Sequence, residues 1–185
     1  MNYILTGLLC SGKSTFLEVA KAHDFDTLSA DNVVDDLYKD KSIIYKIQNE
    51  FKDYDLYDNT KDVIRMLFFK STVNRKKIES LIHPEVHKII NKELANKKNL
   101  IVEVPPLSNN YDLLKENKSI YIDADIKNRM IRYLKRKNDN DVICFERLNN
   151  MQLDYLKLKM VCDLIIDNNN EENFNKYFEL EIIKK

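Results

Sequence analysis

Glycine occurs only twice in these 185 residues, at Gly7 and Gly12. Both fall within Tyr3-Ile4-Leu5-Thr6-Gly7-Leu8-Leu9-Cys10-Ser11-Gly12-Lys13-Ser14. Glycine lets backbone turn through positive φ, or approach a ligand closely, at the least steric cost. A chain that manages without it elsewhere keeps it where an apolar strand gives way to a helix. The pattern Gly7-x-x-x-x-Gly12-Lys13-Ser14 is that of a phosphate-binding loop. Backbone N–H groups between Gly7 and Ser14 can ring a phosphate, aided by the helix N-terminus that follows. Lys13 would reach the β- and γ-phosphates of a nucleotide such as ATP, and the Ser14 hydroxyl would ligate Mg²⁺.

The same glycine count removes rivals. A Ras-type GTPase needs D-x-x-G after a later strand, and no glycine lies beyond position 12. The protein-kinase glycine loop and the Rossmann G-x-G-x-x-G are excluded on the same ground. A small-molecule kinase, or an ATPase without glycine-dependent motifs, remains.

Thirty basic and thirty acidic side chains cancel, so no global field favours nucleic acid or an anionic membrane as a partner. The longest apolar runs, such as Met66-Leu67-Phe68-Phe69, fall far short of the ~20 residues needed to span a bilayer. Nothing at the start reads as a signal sequence, since Ile4 and Leu5 lead straight into the loop. Cys10, Cys144 and Cys162 are odd in number and contain no C-x-x-C pair, which fits a reducing compartment better than disulfides or zinc. The expectation is a cytoplasmic protein of one domain, monomeric or weakly homo-oligomeric. Cys10 sits near a helix N-terminus, which favours the thiolate, so it is expected to be oxidation-sensitive. Asparagine is abundant and tolerates the left-handed region, so it can stand in for glycine at turns.

Residues 2–6 read as a short buried strand and Ser14 to Ala22 as the following helix. Thr27 to Ala30 is a weak second strand, with Asp31 as N-cap of a helix running to Tyr38. Residues 41–51 and 60–70 show helical apolar spacing. A long amphipathic pattern runs from Asn74 to Leu94, with His83-Pro84 expected to break it. Leu100 to Val104, Ser119 to Asp123 and Leu164 to Asp167 are the later strands. Helices are expected over about 125–137 and 142–160, and a last helix at the end of the chain. Strands alternating with helices imply a parallel sheet covered on both faces, with ligands at the strands' carboxyl ends.

Several residues admit two readings. Asp31, at the end of the second strand, is either a helix cap or a group that accepts the proton of an attacking hydroxyl or helps hold the magnesium shell. Arg129, Arg132 and Arg136 share one helical face beside Ile126, Met130 and Leu134, and form either a solvated stripe or a clamp for phosphoryl charge. His83 either contacts substrate or is structural. Glu103 either supports magnesium or is a solvated strand end. Asp123 and Asp163 read as caps, and His23 and His87 as surface residues.

Taken in order, these segments resemble the dephospho-coenzyme A kinase family. The family's T-G-G-I-G-S-G-K-S-T is similar to Thr6–Thr15, its D-A-D to Ser29-Ala30-Asp31, and its L-x-x-x-x-H-P-x-V to Ile78–Val86. Its V-P-L-L resembles Val104–Leu107, its lid arginines Arg132 and Arg136, its R-x-x-x-x-Q Arg147–Gln152, and its A-D-x-V-I-x-N Cys162–Asn168. The matches span residues 3 to 168. The chain departs at Ser29, Asp35, Lys61 and Asn109, where the family carries an acid, two arginines and a glutamate. It departs also at Leu8 and Cys10, which stand for loop glycines.

The resemblance implies an α/β, three-layer P-loop kinase fold with a five-stranded parallel sheet. Its core would span about 1–38, 99–125 and 160–185, its helical acceptor-binding part 40–98 and its lid 126–158. It implies ATP-dependent phosphorylation of the ribose 3′-hydroxyl of dephospho-CoA. Lys13, Asp31, Arg132 and Arg136 would be catalytic. Gly7, Cys10, Ser11, Gly12, Lys13, Ser14, Thr15 and Asn168 would hold the nucleotide. Asp31 and His83 would meet the acceptor, and Ser14 would hold the metal. Two other readings stand beside it: a kinase for another small acceptor such as a nucleoside monophosphate, and an ATP-binding module without turnover.

Overall fold

The computed structural model describes residues 1–57, 59–107, 110–137, 142–152, 155–170 and 174–183. Asn109 therefore lies outside the described residues. The chain forms two compact units, one of residues 1–28 and 97–185, the other of residues 29–96.

The first unit is built on a parallel sheet. Its strands are β1 (Tyr3–Gly7), β2 (Asp26–Ser29), β3 (Leu100–Glu103), β4 (Ser119–Asp123) and β5 (Leu164–Asp167), in the order β2-β3-β1-β4-β5. β1 pairs in parallel with β3 through Ile4↔Val102 and with β4 through Leu5↔Ile120, and β4 pairs with β5 through Ile122↔Ile166. Every residue of β1 is buried, as expected of a central parallel strand whose two faces are both covered. On one face Leu5, Ile101, Ile120, Ile122 and Ile166 pack with Phe16, Leu17 and Ala20 of helix α1 (Lys13–Ala22). Phe174 and Phe178, from the closing helix and the π-helical segment Phe178–Ile183, complete that layer. The expected α/β architecture with a five-stranded parallel sheet is thus present.

Non-glycine residues make the sharp turns. α1 ends with Phe25 N–H bonded to Ala20 O at 3.0 Å and Asp24 N–H to Lys21 O at 3.2 Å, a Schellman closure. Its left-handed residue is Asp24, at φ 59°, in the position where glycine is usual. Asn99 does the same ahead of β3, at φ 58°, as the abundance of asparagine suggested.

In the second unit, helices α2 (Ala30–Leu37), α3 (Lys41–Glu50) and α4 (Thr60–Lys70) each pack on the long helix α5 (Thr72–Asn96). Gln48 organises the turn after α3: its amide donates to Tyr54 O at 2.6 Å and its Oε1 accepts from Leu56 N–H at 3.0 Å.

Several expectations are corrected. Pro84 does not break the helix, which runs unbroken from Thr72 to Asn96 with the proline inside. An interior proline costs about 3 kcal/mol. Ile78, Ile82, Val86 and Ile90 are buried along the same face, at about 1.5–3 kcal/mol each, so packing prevails. The N-cap of α2 is Ser29, in extended conformation, and Asp31 lies in the first turn. The helix expected over 142–160 is two, α8 (Val142–Asn150) and α9 (Tyr155–Val161), with a turn at 151–152. A short helix α6 (Tyr111–Glu116) was not foreseen. Ile126, counted in an apolar stripe of helix α7 (Ile126–Lys137), is exposed. Asp123 is an ion-pair partner of Lys159 rather than a cap. Asp163 accepts from Ser119 N–H at 2.8 Å, across to the next strand. His23 is half-buried and stacks on Phe178 with ring centroids 5.0 Å apart. His87 is also half-buried.

Candidate active site

The carboxyl end of β1 and the start of α1 make a cradle in which both glycines are obligatory. Gly7 has φ 151° and Gly12 φ 113°. A Cβ on Gly7 would strike the Ile122 carbonyl of β4, and would lie 2.8 Å from Ser11 Oγ. A Cβ on Gly12 would strike the Asn168 side-chain amide. Between them, Cys10 adopts φ 59°, a left-handed conformation that costs a non-glycine residue about 1–2 kcal/mol.

Phe16 is the residue whose N–H bonds back to Gly12 O, at 3.0 Å. In an α-helix the amides ahead of that point have no intrahelical acceptor, and they carry the positive end of the helix dipole. Ser14 and Thr15 are exposed at this end. Ser11 is fully buried, and its hydroxyl has no hydrogen-bond partner among the described residues. A buried hydroxyl without a partner is costly, and beside two positions that tolerate no Cβ it fits a cradle for a phosphate chain. Ser14, with an exposed hydroxyl in the first turn, is suited to a phosphate-bound cation.

Lys13 sits over this loop. Its Nζ donates to Gly7 O at 2.8 Å and Leu8 O at 3.2 Å, and lies 3.8 Å from a carboxylate oxygen of Glu103. Glu103 is thus not a freely solvated strand end. It stands at the end of the strand beside β1, facing the loop lysine.

The arginines divide. Arg132 donates from Nη2 to Asn168 O at 2.7 Å and from Nη1 to Ser11 O at 3.3 Å. Asn168 in turn donates from Nδ2 to Ser11 O at 2.7 Å. Arg136 is exposed, and its charge acts on the Cys10 thiol. Arg129 is not part of a solvated stripe: it is 3% exposed and bonded to Ala124 O at 3.0 Å. Gln152 accepts from Leu9 N–H at 2.8 Å. The sequence offers Arg129 as part of a phosphoryl clamp, but its bonds go to the loop and to Asn149, and it offers no role for Gln152. The signal for Gln152 was there, in the R-x-x-x-x-Q resemblance.

Cys10 behaves otherwise than expected. Burial pushes its thiol above the ordinary value, and the opposing charges of Arg136, Lys13, Arg129 and Arg132 do not overcome it. That direction runs against the thiolate expected from the helix N-terminus.

Gly7, Cys10, Ser11, Gly12, Lys13, Ser14, Thr15, Arg132, Arg136 and Asn168 all belong to the first unit. Asp31 and His83 belong to the second. Asp31 is exposed in the first turn of α2. One turn on, Asp35 pairs with Lys61 at 2.8 Å, so two of the departures from the family pattern neutralise each other. Burial, aided by the nearby charges of Asp35 and Glu79, pushes the Tyr38 hydroxyl up to about 12. His83 is half-buried within α5. Burial lowers its pKa, with Glu79 opposing and His87 and Arg75 reinforcing.

Among the described residues no group of three His, Cys, Asp or Glu side chains gathers as a metal cage, and no helix is long and apolar enough to cross a membrane.

The family model described as CoaE, dephospho-CoA kinase, matches residues 3–173. A dephospho-CoA kinase of Chlamydia felis is 30% identical over 174 residues, covering 89% of this chain and 86% of that one. One from Prochlorococcus marinus is 26% identical over 183 residues, covering 91% and 88%. A solved dephospho-CoA kinase from Campylobacter jejuni superposes with a TM-score of 0.67 at 23% identity, over 95% of this chain and 92% of that one, and shares its fold. With the loop, the sheet order and the family match in agreement, the chain belongs to the dephospho-CoA kinase family.

Proposed function

We propose that this chain transfers the γ-phosphoryl group of ATP to the ribose 3′-hydroxyl of dephospho-CoA, giving coenzyme A and ADP, the last step of coenzyme A synthesis. Family membership supports the reaction class. The observation that carries the donor half is the cradle: two glycines that admit no Cβ, a buried Ser11 hydroxyl without a partner, and Lys13 held over them.

In this reading the loop amides and Ser11 bind the β-phosphate, and Ser14 and Thr15 face the phosphate chain. Lys13 exchanges the Gly7 and Leu8 carbonyls for β- and γ-phosphate oxygens. Magnesium, when bound, would neutralise charge on those oxygens, with Ser14 as its protein ligand. Glu103 opposes the Lys13 charge and keeps the amine beside the loop. Arg132 and Arg136 stabilise charge on the transferred group and help exclude water, so that ATP is not simply hydrolysed. Asn168 supports the loop from β5. Asp31 accepts the proton of the 3′-hydroxyl as its oxygen attacks the γ-phosphorus and the bond to the bridging oxygen of ADP breaks. His83 contributes to the acceptor side. The enzyme would act in the cytoplasm, as a monomer or weak homo-oligomer.

A coupled ADP-release assay offering dephospho-CoA, AMP or no acceptor tests this. Release that depends on dephospho-CoA supports the reading. Preference for AMP would point to a kinase for another acceptor, and ATP binding without release to a module that does not turn over.

A further inference from the structure

The peptide groups on both sides of Leu9 are taken by side chains distant in sequence. Its N–H donates to Gln152 Oε1 at 2.8 Å, and its carbonyl accepts from Arg129 Nη1 at 3.2 Å. Arg129 is itself fixed: Nη1 also reaches Asn149 Oδ1 at 2.8 Å, Nε reaches Ala124 O at 3.0 Å, and the guanidinium lies 5.9 Å from the Phe145 ring centroid. Phe145 and Asn149 are the buried residues of α8, and Gln152 lies in the turn that follows. Arg129 and Asn149 are both buried. Burying such groups is unfavourable unless their hydrogen bonds are made, and here the bonds converge on one residue of the phosphate loop.

Leu9 precedes Cys10, whose left-handed backbone falls where a glycine would cost nothing. A strained non-glycine residue persists when its surroundings over-determine it. Holding both Leu9 peptide groups fixes the plane leading into Cys10. The next amide, Ser11 N–H, turns back to Leu8 O at 3.1 Å. The amides that follow, at the start of α1, are then left directed at a ligand.

We propose that Gln152, together with the Asn149–Arg129 pair, is a positioning residue for nucleotide binding. It straps the glycine-poor loop into its phosphate-binding shape and ties α8 to nucleotide occupancy. The proposal rests on the donor half of the function proposed above.

Calorimetric titration with ADP tests it, on Gln152→Met, which keeps volume but loses the acceptor, and on Asn149→Leu and Asn149→Asp. Gln152→Met and Asn149→Leu are expected to weaken ADP binding about 5- to 10-fold, the loss expected for one hydrogen bond. The KM for dephospho-CoA should hold in all three, and the unliganded melting temperature in Gln152→Met and Asn149→Asp, whereas Asn149→Leu, which strips the buried Arg129 of an acceptor, should melt lower. Asn149→Asp, which keeps an oxygen facing Arg129, should retain affinity. ADP should slow hydrogen exchange in α8 of the wild type and not of Gln152→Met. Unchanged ADP affinity in Gln152→Met would overturn the proposal, as would equal weakening of ADP and dephospho-CoA with a lowered melting temperature. If Gln152→Met does not fold, the two Asn149 variants decide: equal affinity in both would overturn it. A wild type that does not bind ADP would overturn the donor assignment itself, and the strap with it.

Discussion

Asn168 donates from Nδ2 to the Ser11 carbonyl at 2.7 Å, and that same nitrogen occupies the space a Cβ on Gly12 would need. The residue after β5 therefore closes the phosphate loop and crowds any side chain there. Gly7 is blocked differently, by the Ile122 carbonyl of β4.

The two glycines should thus respond unequally to alanine. Gly12→Ala meets an amide side chain that can swing away, though at the loss of its bond to Ser11. Gly7→Ala meets backbone in the middle of the sheet. Strain at a forbidden φ alone costs about 1–3 kcal/mol, and Gly7→Ala should exceed Gly12→Ala in stability lost. Urea unfolding of both variants checks the order, and both should lose ADP affinity by calorimetry.

His83 supplies a pH dependence. Its folded pKa lies below the ordinary 6.5 because of burial. In the unfolded chain it takes up a proton as pH falls through 6.5, while in the fold it resists to lower pH. More protons are bound when unfolded in that window, so stability is full above 6.5 and declines as pH falls toward the lowered folded value. His83→Gln should flatten this part of the melting-temperature profile between neutral and mildly acidic pH. Wild-type and variant profiles that run parallel would contradict the assignment.

Cys10 should be a slow thiol. Its pKa is raised, so less thiolate is present near neutrality than in a free cysteine. Iodoacetamide labelling at neutral pH, followed by peptide mass spectrometry, should proceed more slowly at Cys10 than in a model peptide, and accelerate as pH rises. Faster labelling than the peptide would restore the expectation from its helix N-terminal position.

The loop and the sheet were legible because their signals are local. Two glycines beside an apolar run marked β1 and the cradle, and β5 came out at Leu164–Asp167 from its apolar residues alone. The proline in α5 misled because the penalty at Pro84 is local, whereas the burial of Ile78, Ile82, Val86 and Ile90 that outweighs it depends on packing by three other helices. Arg129 was misplaced for a related reason. Helical spacing put it on the face of Arg132 and Arg136, but its burial comes from α8, a contact that periodicity cannot show. Cys10 shows the limit most plainly: its neighbours in sequence suggest a lowered pKa, and burial in the fold reverses the sign.

The central claim is phosphoryl transfer to one hydroxyl of one acceptor, with Asp31 as the group that takes its proton. Incubation of the purified chain with ATP, Mg²⁺ and dephospho-CoA, with the product's phosphate located by ³¹P NMR and mass spectrometry, tests it most directly. The account predicts a 3′-phosphorylated product that forms with wild type and falls by about 10²-fold or more with Asp31→Asn, while ADP affinity is kept. ATP bound but no phosphorylated product, or turnover undiminished in Asp31→Asn, would contradict it.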